Sequence, residues 1–442
     1  MAYRLGDIDC VSARGHSALG GTLAIQAVWR YDRPVDMAGL MDFHAALQDG
    51  RLGRVVAAAT IPAAGDRWSA RAEFGPVEVT EAPIPHGELA TWIAEQGRAE
   101  LQTFGGPAWR LAVTACDNGE SAVSLLASHT IADGRAFCDA VAEAVAGKSF
   151  DLDYRSDEFG RMRLLSGDFR DAARRGRVLV QAVGLAVQMM VAQRGEAKGC
   201  TEEDPNFHLP SVDATVPAPL WHAAARTRGG SATTLAVAVT AAIATEIGRT
   251  DDQGRARIMM PVSTRTEADR RANALSSIDF EVDLRDGMLT DLAPLRALMK
   301  EKLGAAVGQP APPLIPLAIA LPRRLFAVLV RKVAADATVS VCSNLGEIDP
   351  AMLGIDGGPA STIRLGLVNQ SLDSRAVVTE RGGNLYVSLF ESGGEMTLRV
   401  NGFHAPKLVD AEQLTELVQR VLAEYELSAT LEQLRPAPPS GR

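Results

Sequence analysis

Between residues 195 and 230 the chain loses any regular hydrophobic period, and this break decides which folds are open to it. The segment carries Glu202, Glu203, Asp204 and Pro205, then Pro210, Pro217 and Pro219. Prolines at that density interrupt helices and sheet ladders alike. A chain of 442 residues also exceeds what one hydrophobic core usually serves. The segment therefore reads as a crossover, with the boundary near residue 200 and domains at 1–200 and 201–442.

On either side, period-2 and helical stretches alternate irregularly, which favours an α+β architecture of mixed sheets bearing helices over a parallel wrap. In the first half the pattern predicts strands over 22–31, 54–60, 68–74, 108–116 and 121–128. Helices are predicted over 37–48, capped by Asp36, and over 87–101 and 134–146. In the second half Ser231 caps an Ala-rich helix to residue 247, strands are predicted over 257–262, 278–284, 338–343, 361–368, 385–391 and 396–403, and a final helix covers 411–425. No short-period repeat of the solenoid kind is present.

Composition narrows the function. A formal charge of −9 argues against general affinity for nucleic acid, which needs basic stripes to displace counterions, although a phosphate-bearing cofactor needs only a local basic patch. Cys10, Cys116, Cys138, Cys200 and Cys342 are scattered and odd in number, so neither a disulfide framework nor a metal site is expected. The start, MAYRLGDIDC, lacks the basic and apolar regions of a signal peptide, so a cytoplasmic location is expected. Two apolar stretches, 178–192 and 314–333, fall short of the roughly 20 apolar residues of a membrane span. They read as buried or bridging helices, with peripheral contact to a lipid chain or membrane surface as the second expectation. Disorder is expected only at the ends, chiefly after Arg435.

The segment Ser121–Ala140, SAVSLLASHTIADGRAFCDA, carries the chemistry. Its first eight residues form a strand, and from Gly134 the apolar positions Phe137, Ala140, Val141 and Ala144 share one helix face. His129 thus stands at a strand end with Asp133 four residues on, a place where side chains point into clefts. A neutral imidazole suits proton abstraction near neutral pH. Plainer readings stay open: a satisfied strand-end histidine for His129, a simple helix cap for Asp133, and a solvated charge for Arg265 among its charged neighbours. GHSAL at 15–19 fails as a hydrolase elbow, and GKS at 147–149 fails as a phosphate loop. His16, His44, His86, His208, His222 and His404 show no metal-ligand spacing.

The run HTIADG resembles the HxxxDG signature of the superfamily that holds chloramphenicol acetyltransferases, peptide synthetase condensation domains, wax ester synthases, polyketide-associated acyltransferases and plant acyltransferases. GGPAWRLAV at 105–113, MPVSTR at 260–265 with RRAN at 270–273, and SNLG at 343–346 are similar to further elements of that superfamily and stand in its order. The resemblance implies two chloramphenicol-acetyltransferase-like subdomains in a V around a tunnel. It implies acyl transfer from acyl-CoA or a phosphopantetheinyl acyl carrier protein to a small-molecule or lipid alcohol or amine, with no permanently bound cofactor. His129 would be the base, and Asp133 a structural group paired, through a bidentate contact, with Arg265. Gly134 would permit the tight helix start, and Ser343 or Asn344 would bind the oxyanion. Ser128 stands where many relatives carry a second histidine, which favours a free-standing ester- or amide-forming enzyme over the peptide-forming branch. No adenylation or carrier domain is expected in the remaining length. A catalytically silent module that binds carrier proteins or partner enzymes, and a thioester-cleaving or cyclising enzyme, are the alternatives.

Overall fold

The structure, a computed structural model, describes residues 3–433 apart from residues 20, 62–63, 70–73, 151, 153, 155–159, 176–206, 267–268, 286, 307–318, 320, 322–324 and 330–338. The expected boundary near residue 200, the apolar stretch 178–192, most of 314–333 and the tail after Arg435 lie outside the described residues.

Fourteen strands are described: β1 (Leu23–Tyr31), β2 (Val55–Ala57), β3 (Arg67–Ser69), β4 (Glu78–Val79), β5 (Trp109–Ala115), β6 (Ser121–Ser128), β7 (Ser211–Pro217), β8 (Arg255–Ser263), β9 (Leu275–Asp283), β10 (Val339–Glu347), β11 (Thr362–Asn369), β12 (Asn384–Ser392), β13 (Glu395–Phe403) and β14 (Thr430–Gln433). Two mixed sheets carry the architecture. One has five strands in the order β11-β1-β6-β5-β4, and the other has seven in the order β14-β7-β13-β12-β10-β8-β9; β2 and β3 form a separate ribbon. Parallel pairing occurs at β4 with β5 and where β10 meets β8 and β12.

The sheets are not each built from one continuous half. β11, late in the chain, runs antiparallel to β1 along Leu23–Asn369 to Arg30–Thr362. The segment before it buries Ile348, Met352 and Ile355 in the core of the first sheet. The Trp29 indole N–H donates to the Met352 carbonyl at 2.6 Å, and Arg33 holds Asp356 through two nitrogens at 2.7 and 2.9 Å. A return strand of this kind fixes the lobes against each other without a long interface.

From Ser211 on, the segment expected to be a crossover forms regular elements in spite of its prolines. Val212, Ala214 and Val216 alternate into the core of the second sheet, and Pro217 ends that strand by capping the helix Ala218–Thr227. Proline is tolerated there because neither position must donate to a ladder or helix bond. Helix Ala232–Ile247 is buried from Thr234 to Ala244 and capped by Ser231, whose Oγ accepts from the Thr234 amide. It meets the preceding helix at 82°, and among the described residues no single helix is long and apolar enough to cross a membrane.

One buried ion cluster ties the sheets together. Asp213 on β7 accepts from Arg399 on β13 at 2.7 Å through both oxygens, and Arg364 on β11 of the other sheet lies 3.7 Å away. Removing one member of such a cluster leaves charge stranded in a poorly solvated site, at a cost of about 3–5 kcal/mol. Asp213→Ala is therefore expected to lower unfolding free energy by about that amount in denaturant titrations; a loss under about 1 kcal/mol would show the cluster to be solvated.

Candidate active site

Hydrogen bonding along β6 delivers His129 to the seam between the sheets. Its backbone N–H donates to the Leu23 carbonyl at 2.8 Å, continuing the β1–β6 ladder one residue past the strand. The ring is partly exposed and lines a cavity of about 1000 Å³. The first sheet contributes Leu23, Ile25, Leu365 and Leu367 to the wall, and alternate residues of β8, β10 and β12 supply Met259, Pro261, Val341, Ser343, Tyr386 and Ser388.

The imidazole is held in one tautomer. Asn273 donates through Nδ2 to Asp9 Oδ1 at 2.9 Å and to the Thr130 carbonyl at 3.1 Å. Both are acceptors, so the amide must turn its Oδ1 to His129 Nδ1, 3.0 Å away. Nδ1 therefore carries the proton, an assignment that follows from the network. The Nε2 lone pair is left without a partner among the described residues. Burial holds the imidazole below its ordinary value, with the Asp133 charge and the Asn273 hydrogen bond acting the other way. A neutral ring with a free Nε2 lone pair can accept a proton from a nearby O–H or N–H.

Asp9 was not visible as a site residue in the sequence. It lies on helix Asp7–Leu19, for which the hydrophobic pattern offered no clue, because that helix turns polar side chains inward. Asp9 Oδ1 also accepts from the Asn273 backbone amide at 3.0 Å. Burial pushes its carboxyl up to about 6, against the Asn273 hydrogen bonds and the charge of Arg54. On the same helix His16 shares a hydrogen bond with the Thr130 hydroxyl at 3.1 Å; burial, then His129, push it down to about 3.

Asp133 is fully buried and every contact it makes is structural. Oδ1 accepts from the Ala136 amide at 2.7 Å and caps helix Gly134–Val145. Oδ2 accepts from Arg265 Nη2 at 2.7 Å and from the Ala274 amide at 2.8 Å. The pair with Arg265 therefore uses one oxygen and one nitrogen and is not bidentate as expected, since the cap occupies the other oxygen. The remaining reach of Arg265 goes to the carbonyls of Arg271 and Ala272 at 2.9 Å each. Gly134 has an ordinary backbone angle; its value is room, since a Cβ there would stand 2.5 Å from Leu345 Cδ2 on β10. Further along the same loop, Arg51 and Arg54 donate to the carbonyls of Asp269 and Arg270 at 2.9 and 3.0 Å.

Ser343 and Asn344 both line the cavity, but they are committed differently. Asn344 donates to Thr233 Oγ1 at 2.7 Å and accepts from the Gly346 amide at 2.8 Å, where Gly346 takes a positive φ of 73° at a break in register. Among the described residues the Ser343 hydroxyl meets only the phenol of Tyr386, which burial pushes up to about 12. No group of three or more His, Cys, Asp or Glu suited to a metal occurs among the described residues.

No protein-family model matches the chain, and no curated protein does. Solved structures do. The first condensation domain of the CDA synthetase is similar with a TM-score of 0.57 at 14% identity, over 97% of this chain and 99% of that one. Polyketide synthase associated protein 5 from Mycobacterium tuberculosis gives 0.54 at 14%, over 96% and 98%. The starter condensation domain of rhizomide synthetase RzmA, a mutant form in complex with C8-CoA, gives 0.54 at 13%, over 96% and 94%. Against the longer peptide synthetase FmoA3 the chain covers 42% of that protein's length. The chain thus has the fold shared by condensation domains and the polyketide-associated protein, with two mixed sheets and helices.

The tautomer can be read directly. Nitrogen-15 NMR of the imidazoles is expected to show His129 neutral and protonated on Nδ1 at about pH 6.5, where a free imidazole is half charged. Asn273→Ala is expected to mix the tautomers. A His129 signal that is half protonated at that pH, or already mixed in the wild-type protein, contradicts the network.

Proposed function

We propose that this protein transfers an acyl group from a CoA or carrier-protein thioester to a hydroxyl or amine, with His129 Nε2 as general base. The observation that carries the reading is the free Nε2 lone pair of a neutral, oriented imidazole inside a 1000 Å³ cavity between two lobes. The neighbouring fold solved with C8-CoA shows that a structure of this kind accommodates such a thioester in that protein.

In the proposed step, Nε2 takes the acceptor proton as the acceptor oxygen or nitrogen forms its bond to the thioester carbonyl carbon. The carbonyl electrons move onto oxygen. When they return, the carbon–sulfur bond breaks and the departing thiolate takes the proton from the imidazolium, leaving ester or amide and free thiol. Nothing covalent forms on the protein. Ser343 is the better placed oxyanion donor, because its hydroxyl is not consumed by backbone or turn contacts; Asn344 keeps one N–H beyond the bond to Thr233. Loss of one such donor typically costs about 10²–10³-fold in kcat. Asp133 and Arg265 position the turn and touch no reacting atom. Ser128 before His129 lends only its Oγ, which accepts from the Thr130 amide at 3.2 Å.

His129→Ala is expected to lower kcat with acyl-CoA donors by at least about 10²-fold. Because protonation removes the base, activity should fall toward acid, and because burial lowers the ring's affinity for protons, the acid limb of wild-type kcat/KM should be centred below about pH 6.5. Product masses separate the readings: an ester or amide supports transfer, a free acid indicates thioester cleavage, and no product from any donor with His129 intact indicates a silent binding module. An acid limb centred above about 6.5 would mean that some other group controls the rate.

A further inference from the structure

One surface helix is turned inside out. A helix on the outside of a globular protein ordinarily buries its apolar stripe and shows its charges to water. Helix Arg161–Arg174, RMRLLSGDFRDAAR, does the reverse. Its one fully buried side chain is Asp168, which accepts from the Thr60 amide at 2.8 Å, from Arg4 Nη2 at 2.8 Å and from Arg67. One turn on, Asp171 accepts from the Gly65 amide at 2.8 Å. Both acids of the helix are thus consumed by inward contacts to the β2–β3 ribbon and the loop that joins its strands.

The outward face carries what such a helix normally hides. Met162 and Phe169 are 81% and 68% exposed, the most exposed large apolar side chains among the described residues. They stand seven residues apart on one line of the helix, with Ala173 one turn beyond Phe169. Arg163, Arg170 and Arg174 repeat that spacing on the next line, and Arg161 flanks the other side; all four are exposed. Arg161, Arg170 and Arg174 have no ion-pair partner among the described residues.

We infer that this face docks on an anionic lipid surface, into which Met162 and Phe169 insert while the arginines bind headgroup phosphates. Charge and area select that occupant. The face offers four guanidinium groups and no carboxylate, on a chain whose net charge of −9 otherwise opposes adsorption to anionic surfaces. A second copy of this chain, docked through the same face about a two-fold axis, would set arginine against arginine. A helix of 14 residues is about 21 Å long and about 10 Å wide. Its outer face therefore presents only about 200 Å², against about 800 Å² per partner in a stable protein interface. Insertion into a lipid surface needs no more than an apolar line flanked by cations, whose stems lie along the acyl boundary while their heads meet phosphate. The inference uses none of the residues of the acyl-transfer reading and stands apart from it.

The test is co-sedimentation of the full chain with vesicles of equal parts phosphatidylglycerol and phosphatidylcholine, and with vesicles of phosphatidylcholine alone. Binding to the anionic vesicles is expected, at least about tenfold tighter than to the neutral ones and weakened by added salt. Arg170→Gln and Arg174→Gln should each weaken it about fivefold, and Met162→Ser combined with Phe169→Ser at least about tenfold. All four side chains point outward, so the variants should unfold at the wild-type temperature. Absence of binding to the anionic vesicles overturns the inference, as does equal binding to both kinds, or binding that none of the substitutions weakens. A complex with purified acyl carrier protein that Phe169→Ser removes, with no vesicle binding, assigns the face to a protein and overturns it as well.

Discussion

The Asp133 carboxylate is the contact on which the rest of the site depends. With two oxygens it satisfies three donors, one from the helix it caps, one from Arg265 and one from the Ala274 backbone, while its own amide donates to the Ala272 carbonyl at 3.0 Å. Helix start and second-half loop are thereby fixed to the same atom pair. Asn273 lies between the two residues so bound, and it is the residue that turns the His129 ring. A buried carboxylate is costly unless paired and hydrogen-bonded. Here it is both, so the arrangement has little freedom to relax into another one.

That hub explains how the oriented imidazole is built from three distant pieces of chain. β6 supplies the imidazole, the loop after β8 supplies the amide that orients it, and helix Asp7–Leu19 supplies the carboxylate that orients the amide. The amide matters because it cannot accept a proton as a carboxylate would. A carboxylate directly against Nδ1 would favour the imidazolium, whereas Asn273 fixes the tautomer with less charge stabilisation, and burial keeps the ring neutral. Asp9, with its raised affinity for protons, stands one residue removed from the ring.

Much of this was legible from local pattern alone, and the misses have a common physical cause. The strand Ser121–Ser128, the helix begun at Gly134 and the caps Asp36 and Ser231 all follow from period and capping chemistry, which are properties of neighbours in sequence. Pairing of Arg265 with Asp133 was reachable only through resemblance, and its one-armed geometry was not, because the claim of the Ala136 amide on the second oxygen appears only once the helix is capped. Asp9 was invisible for a different reason: helix Asp7–Leu19 buries Asp9, Arg14 and His16 alongside the small Cys10 and Ala13, so polar residues interrupt the apolar stripe that announces a helix. β7 was hidden by prolines that lie at its borders and not within its ladder.

Placing β11 in the first sheet has a consequence for the cavity as well as for stability. The floor between His129 and Asn369 is made by β6, β1 and β11 in hydrogen-bonded register, while the facing wall is made by β8, β10 and β12 of the other sheet. Because β11 is covalently continuous with the second-half chain, the two surfaces cannot drift apart freely, and the Asp213 cluster with Arg364 and Arg399 ties them again. Such a closed frame settles the orientation of the His129 imidazole before any ligand arrives, so less of a ligand's binding energy is consumed in ordering the protein.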